Sequence, residues 1–107
     1  MRIGVILNSN DAETVWNALR FGTTALLAGH TVKAFLIGRG VELEDIRSEK
    51  FDVTSHIEAF RKNGGVILAC GTCLKMHGKG GSEVCPTSTM KDLLWMVEEA
   101  DKIITFG

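Results

Sequence analysis

The chain has 107 residues, 45% of them hydrophobic and 23% charged, with a formal net charge of -1, which is the size and balance of one domain over residues 1–107 that can bury a core unaided. Its lysines and arginines are spread along the chain, leaving no basic stripe to bind nucleic acid or an anionic membrane surface. No apolar run approaches the roughly 20 residues of a membrane span, and the opening "MRIGVILNSND" is too short and too weakly basic for a signal peptide.

A cytoplasmic location is therefore expected. In that reducing compartment Cys70, Cys73 and Cys85 read as catalytic, redox or metal-binding residues rather than as a disulfide framework.

"RIGVIL" (2–7) is nearly continuous apolar sequence, the pattern of a strand buried on both faces. "NSND" supplies caps for a helix starting near Ala12, whose apolar positions Val15, Ala18, Leu19, Gly22, Ala25 and Leu26 recur at helical spacing until Gly29 ends it. "TVKAFLIG" (31–38) is a second strand. "RGVELEDIRSEKFDV" is charged and without a clean period, so an exposed excursion is expected, long enough to serve as a lid. Ser55 and Glu58 in "SHIE" have capping-box form and are expected to open a helix running to about Asn63. "VILA" (66–69) is a third strand that leads directly into Cys70, and "CLKMHGKGG" then allows a short helix before its glycines. "SEVC" (82–85) is expected as a short strand stopped by Pro86. "TSTMKDLLWMVEEAD" (87–101) is a final helix, expected to be capped by Thr87 or Ser88 and to bury Met90, Leu93, Leu94 and Val97. "KIITF" (102–106) is the last strand.

Strands alternating with helices give right-handed crossovers and a mostly parallel sheet. Ligands of such sheets collect at the carboxyl ends of the strands, which here carry "NSND", "GRG" and "ACGTCLKMHG". Asn8 and Asn10 are thereby placed to line the same cleft as Cys70. "GRG" lacks the G-x-G-x-x-G fingerprint, and no P-loop is present.

Cys70 ends a buried strand and Cys73 falls in the first turn of the next helix. The amide donors and dipole there favour thiolate, with Lys75, His77 and Lys79 adding positive charge. His77 follows Cys73 by four residues and shares its helix face. Three chemistries use such a pair. One is a dithiol redox couple. Another is a zinc or iron–sulfur site built from Cys70, Cys73 and Cys85 with His77 as a further ligand. The third is persulfide chemistry, in which one thiol accepts a sulfane sulfur and hands it on.

"LLAGHTVKAFLIGRGV", "GGVILACGTCLKMHG" and "TMKDLLWMVEEADKIITF" together resemble the DsrE/DsrF-like family, which includes the TusD-type sulfur-relay subunits. The resemblance covers nearly the whole chain. Its most specific elements are the glycine-led apolar strand ending in cysteine and the helix closing at Gly78, although His77 stands where members often carry arginine. It implies a three-layer α/β/α sandwich with a five-stranded, mostly parallel sheet, the first strand lying between the second and the last. It implies a homotrimer or homohexamer with the cysteine near a subunit interface. No cofactor is expected, a metal on Cys70, Cys73 and Cys85 being the alternative left open. Cys70 matches the sulfur-accepting cysteine, whereas Cys73 and "SEVCPTSTMKDL" lie outside the general family pattern. The activity implied is that of a sulfur carrier or sulfurtransferase. Cys70 takes sulfane sulfur from a donor as a persulfide; Cys73 or Cys85 then resolves it by disulfide formation, or the sulfur passes to an acceptor protein.

Overall fold

In the computed structural model, which describes residues 1–107, five strands and four helices alternate. The strands are β1 (Arg2–Leu7), β2 (Thr31–Leu36), β3 (Val66–Cys70), β4 (Thr87–Ser88) and β5 (Lys102–Phe106). The helices are α1 (Ala12–Leu27), α2 (Val53–Lys62), α3 (Gly71–Met76) and α4 (Met90–Glu99). The strands lie in the order β4-β3-β2-β1-β5 and every pair is parallel. The first strand is thus flanked by the second and the last, and its apolar run is buried at Ile3, Val5 and Leu7. No helix is long and apolar enough to cross a membrane.

One sheet face packs on α1 and α2. Val15, Ala18, Leu19 and Ala25 meet Ile57, Phe60 and the inward side chains Val5, Val32, Ala34 and Ile67. Gly22 of α1 is the notch that admits α2: a Cβ there would lie 2.6 Å from the Phe60 ring. The ring fills that notch almost completely buried, so Phe60→Ala is expected to cost about 3–5 kcal/mol. On the other face α4 brings Met96 onto Phe35 and Cys70, with Leu93, Leu68 and Ile103 half-buried around them. These are the three layers.

Four local expectations are corrected. The charged excursion is ordered over Gly38–Asp45 as a 3-10 helix that buries Val41 and Leu43; the interleaved Glu42, Glu44 and Asp45 mask this apolar content in the sequence. Helix α2 is capped by Asp52, whose carboxylate accepts from the Ser55 amide at 3.0 Å, so Ser55 lies inside the helix rather than at its cap. Residues 82–85 form no strand. The Ser82 amide donates to the Cys85 carbonyl at 3.1 Å, closing a turn, and β4 follows Pro86 instead of preceding it. Helix α4 is capped by Thr89 in a capping box with Asp92. Its sheet-facing side chains are Met96 and, in part, Leu93, whereas Met90, Leu94 and Val97 are exposed. The helical period finds the apolar residues of α4 but not which of them the sheet covers.

Candidate functional site

Strand β3 is buried and ends at Cys70, which is also the N-cap residue of α3. Side chains alternate along a strand, so Cys70 shares the α4 face with Leu68. Its thiol is sealed against Phe35 and Met96, and the residue is only 2% exposed. Cys73, three residues on in α3, is half-buried at the carboxyl edge of the sheet and packs against both apolar cores. The two thiols are neighbours, and the Gly38 backbone lies close to the Cys73 sulfur.

Burial pushes the Cys73 thiol above its ordinary value; the Gly38 amide opposes that shift and the neighbouring Cys70 adds to it. This is the reverse of the thiolate expected from the helix end. The positive side chains invoked there are engaged elsewhere. Lys79 forms an ion pair with Asp45, and His77 Nδ1 faces Glu42 Oε2 at 3.8 Å. Lys75 points to solvent.

Cys85 does not join the pair. It is buried in the core shared with α1 and α2, on the opposite side of the sheet from Cys70. Burial, reinforced by the Glu44 carboxylate, pushes its thiol up to about 12. No three His, Cys, Asp or Glu side chains converge on one point, so the proposed Cys70, Cys73, Cys85 and His77 ligand set is not assembled within the chain.

Asn8 and Asn10 both lie at the carboxyl edge. The Asn8 Oδ1 sits 2.3 Å from where a Gly38 side chain would begin, so Asn8 backs the residue whose amide meets Cys73. Asn10 Nδ2 donates to Glu42 Oε1 at 3.1 Å, which links Asn10 through Glu42 to His77. Gly38 and Glu42 are the participants that sequence reasoning misses. The "GRG" run signals Gly38 but invites a test for phosphate binding; nothing distinguishes Glu42 from its acidic neighbours. A cleft of about 300 Å³ opens on the α4 side between Lys33, Leu68, Ser88, Asp92, Trp95 and Met96. A second, of about 310 Å³, includes Asn10, Glu42, Asp45 and Arg47.

A parallel three-layer α/β sandwich with two neighbouring thiols at the carboxyl edge, one sealed and one half-buried, defines a class of cysteine-bearing α/β protein. The DsrE/DsrF-like family model matches residues 1–106, and the chain belongs to that family, which is associated with sulfur relay in general. It is 33% identical over 100 residues to the uncharacterized protein MJ0989 of Methanocaldococcus jannaschii, covering 88% of each chain. It is 36% identical over 100 residues to the uncharacterized protein MK0008 of Methanopyrus kandleri, covering 88% of this chain and 83% of that one. Among solved structures, the YchN protein of E. coli superposes with a TM-score of 0.83 at 20% identity, covering 99% of this chain and all of the other. The conserved protein BT1422 of Bacteroides thetaiotaomicron gives 0.77 at 18%, covering 98% and 94%. At such identities the likeness is one of fold.

Proposed function

We propose that this protein is a cytoplasmic sulfur carrier that holds sulfane sulfur as a persulfide on Cys70. The observation that carries the reading is the placement of Cys70. In a chain of the DsrE/DsrF-like family, it ends β3 inside an apolar pocket of Phe35 and Met96, with a second thiol beside it. A persulfide is lost to any thiol that reaches its outer sulfur, so a carrier gains from a pocket that excludes solvent thiols. The exposed apolar face of α4, with Met90, Leu94, Trp95 and Val97, supports assembly into a homotrimer or homohexamer. Sulfur donor and acceptor proteins are its further partners.

The test is intact mass before and after a persulfide donor, followed by removal of free donor. The wild type should retain the mass of one sulfur atom, released by reductant, and Cys70→Ser should retain none.

A dithiol couple is the second reading, favoured by the proximity of Cys70 and Cys73. It requires both thiols, and it predicts that wild type loses only two hydrogen masses as a Cys70–Cys73 disulfide forms. That result, without retained sulfur, would replace the carrier assignment.

A further inference from the structure

We propose that Cys73 is the thiol that receives sulfane sulfur from the donor and passes it inward to Cys70, a division of labour that rests on the carrier reading above. The difference in access carries it. Cys70 is 2% exposed beneath Phe35 and Met96. Transfer between sulfurs requires the attacking thiolate to reach the sulfur it takes, and a donor persulfide carried on a protein or a small thiol has no open path to Cys70. Cys73 is half-buried at the open edge of the sheet, and it packs against the same pocket that holds Cys70. It therefore faces the donor on one side and the store on the other. The Gly38 amide favours its thiolate against burial, a backbone dipole near the atom that bears negative charge when it attacks and again when it leaves.

The chemistry closes without an added oxidant or reductant. In the first step the Cys73 thiolate attacks the outer sulfur of the donor R–S–SH. A bond forms between Cys73 Sγ and that sulfur, the donor's S–S bond breaks, and the donor departs as R–S⁻. In the second step Cys70 gives up its proton and attacks the same outer sulfur. A Cys70 Sγ–S bond forms, the Cys73 Sγ–S bond breaks, and Cys73 takes the proton and ends as a thiol. One sulfane sulfur and one proton have exchanged places between neighbouring thiols. Attack on the inner sulfur would instead join Cys70 to Cys73 and expel hydrosulfide. The productive route therefore depends on the outer sulfur being the one turned toward Cys70.

The probe is glutathione persulfide, mixed with reduced full-length protein and quenched at short intervals with an alkylating agent, the label being placed by peptide fragmentation. In wild type the added sulfur should appear on Cys73 first and accumulate on Cys70 as it leaves Cys73. Cys73→Ser and Cys73→Ala should both load Cys70 at least about tenfold more slowly, because access limits exchange. Cys70→Ser should still take up sulfur on Cys73, yet lose it to cyanide faster than wild type and hold none after the donor is removed. If Cys70 is labelled first in wild type, or loads at the wild-type rate in the Cys73 variants, the receiving role is overturned while the carrier reading stands. If wild type gains sulfur on neither residue, the carrier reading falls and this inference falls with it. The wild-type time course decides the order without relying on any substitution.

Discussion

Gly38 and Cys73 meet at the carboxyl edge of the sheet: the glycine amide favours the cysteine thiolate from a backbone held at φ +53°. A side chain at Gly38 would be strained by that φ and would also lie 2.3 Å from Asn8 Oδ1. Gly38→Ala is therefore expected to cost about 1–3 kcal/mol of stability and to displace the amide. The amide lowers the Cys73 pKa against burial, so its loss should move the pH midpoint of Cys73 alkylation upward and slow the reaction at any fixed pH. Thermal unfolding measures the strain separately. A folded Gly38→Ala protein with an unchanged alkylation midpoint would show that the amide does not act on the sulfur.

The three thiols should differ sharply toward an alkylating agent in the native protein, with Cys73 modified first, Cys70 only slowly and Cys85 only on unfolding. Cys85 also has a pH signature. Its thiol is raised from 9.0 to about 12 in the folded chain, mainly by burial. The unfolded chain therefore loses this proton first as pH rises. The associated stability is complete below 9.0 and is lost between 9.0 and about 12. Denaturant midpoints should fall across that window, and less steeply in Cys85→Ala. Equal slopes in the two proteins would place Cys85 nearer to solvent than its 3% exposure indicates.

The strands were legible because burial on both faces leaves unbroken apolar runs such as "RIGVIL" and "VILA", and the parallel order follows from their alternation with helices. Cys70 was legible for the same reason, as the residue at which β3 ends. What the sequence hides is three-dimensional bookkeeping among polar groups. Lys79 and His77 read as a positive field around Cys73 until Asp45 and Glu42 are seen to face them. Both acids come from a segment more than thirty residues earlier, so no local pattern pairs them. Cys85 lies fifteen residues after Cys70 in sequence, but the sheet separates them. The open and sealed states of Cys73 and Cys70 likewise depend on Phe35 and Met96, which local spacing cannot assign.

Acid should unfold the protein through four carboxylates, three exposed and Asp92 half-buried, whose pKa values lie below the ordinary range in the folded chain. Asp11 accepts from the Thr14 amide, Asp52 from the Ser55 amide, Asp92 from the Ser88 hydroxyl and then the Thr89 amide, and Asp101 from the Arg2 amide. A depressed carboxylate stabilises the fold fully above the unfolded value of about 3.9 and loses that contribution as pH falls through the folded value. Denaturant midpoints should therefore hold steady down to about pH 5 and drop below about pH 4, where protons bind the unfolded chain first. Asp92→Asn removes one of the four and should flatten the drop. An acid slope identical to that of wild type would mean that Asp92 does not titrate differently in the two states.

The last prediction concerns what covers α4. Trp95 is 66% exposed, Met90 and Leu94 are each 57% exposed and Val97 is 43% exposed, on a helix whose other side already packs on the sheet through Met96. Beside it runs the cleft between Lys33, Leu68 and Trp95, and Leu68 lies on the same sheet face as Cys70. Apolar side chains clustered this way mark a surface that another chain buries. Light scattering in dilute neutral buffer should therefore give a mass of three or six times the 11.6 kDa of one chain. Leu94→Glu combined with Trp95→Glu places two charges on the exposed side and leaves Met96 untouched. The double variant should keep the wild-type circular dichroism and scatter as a single 11.6 kDa chain, because charges buried at an interface without partners are strongly disfavoured. A wild-type protein that is already monomeric would remove the assembly from the reading. A charged variant that stays assembled would move the interface away from α4.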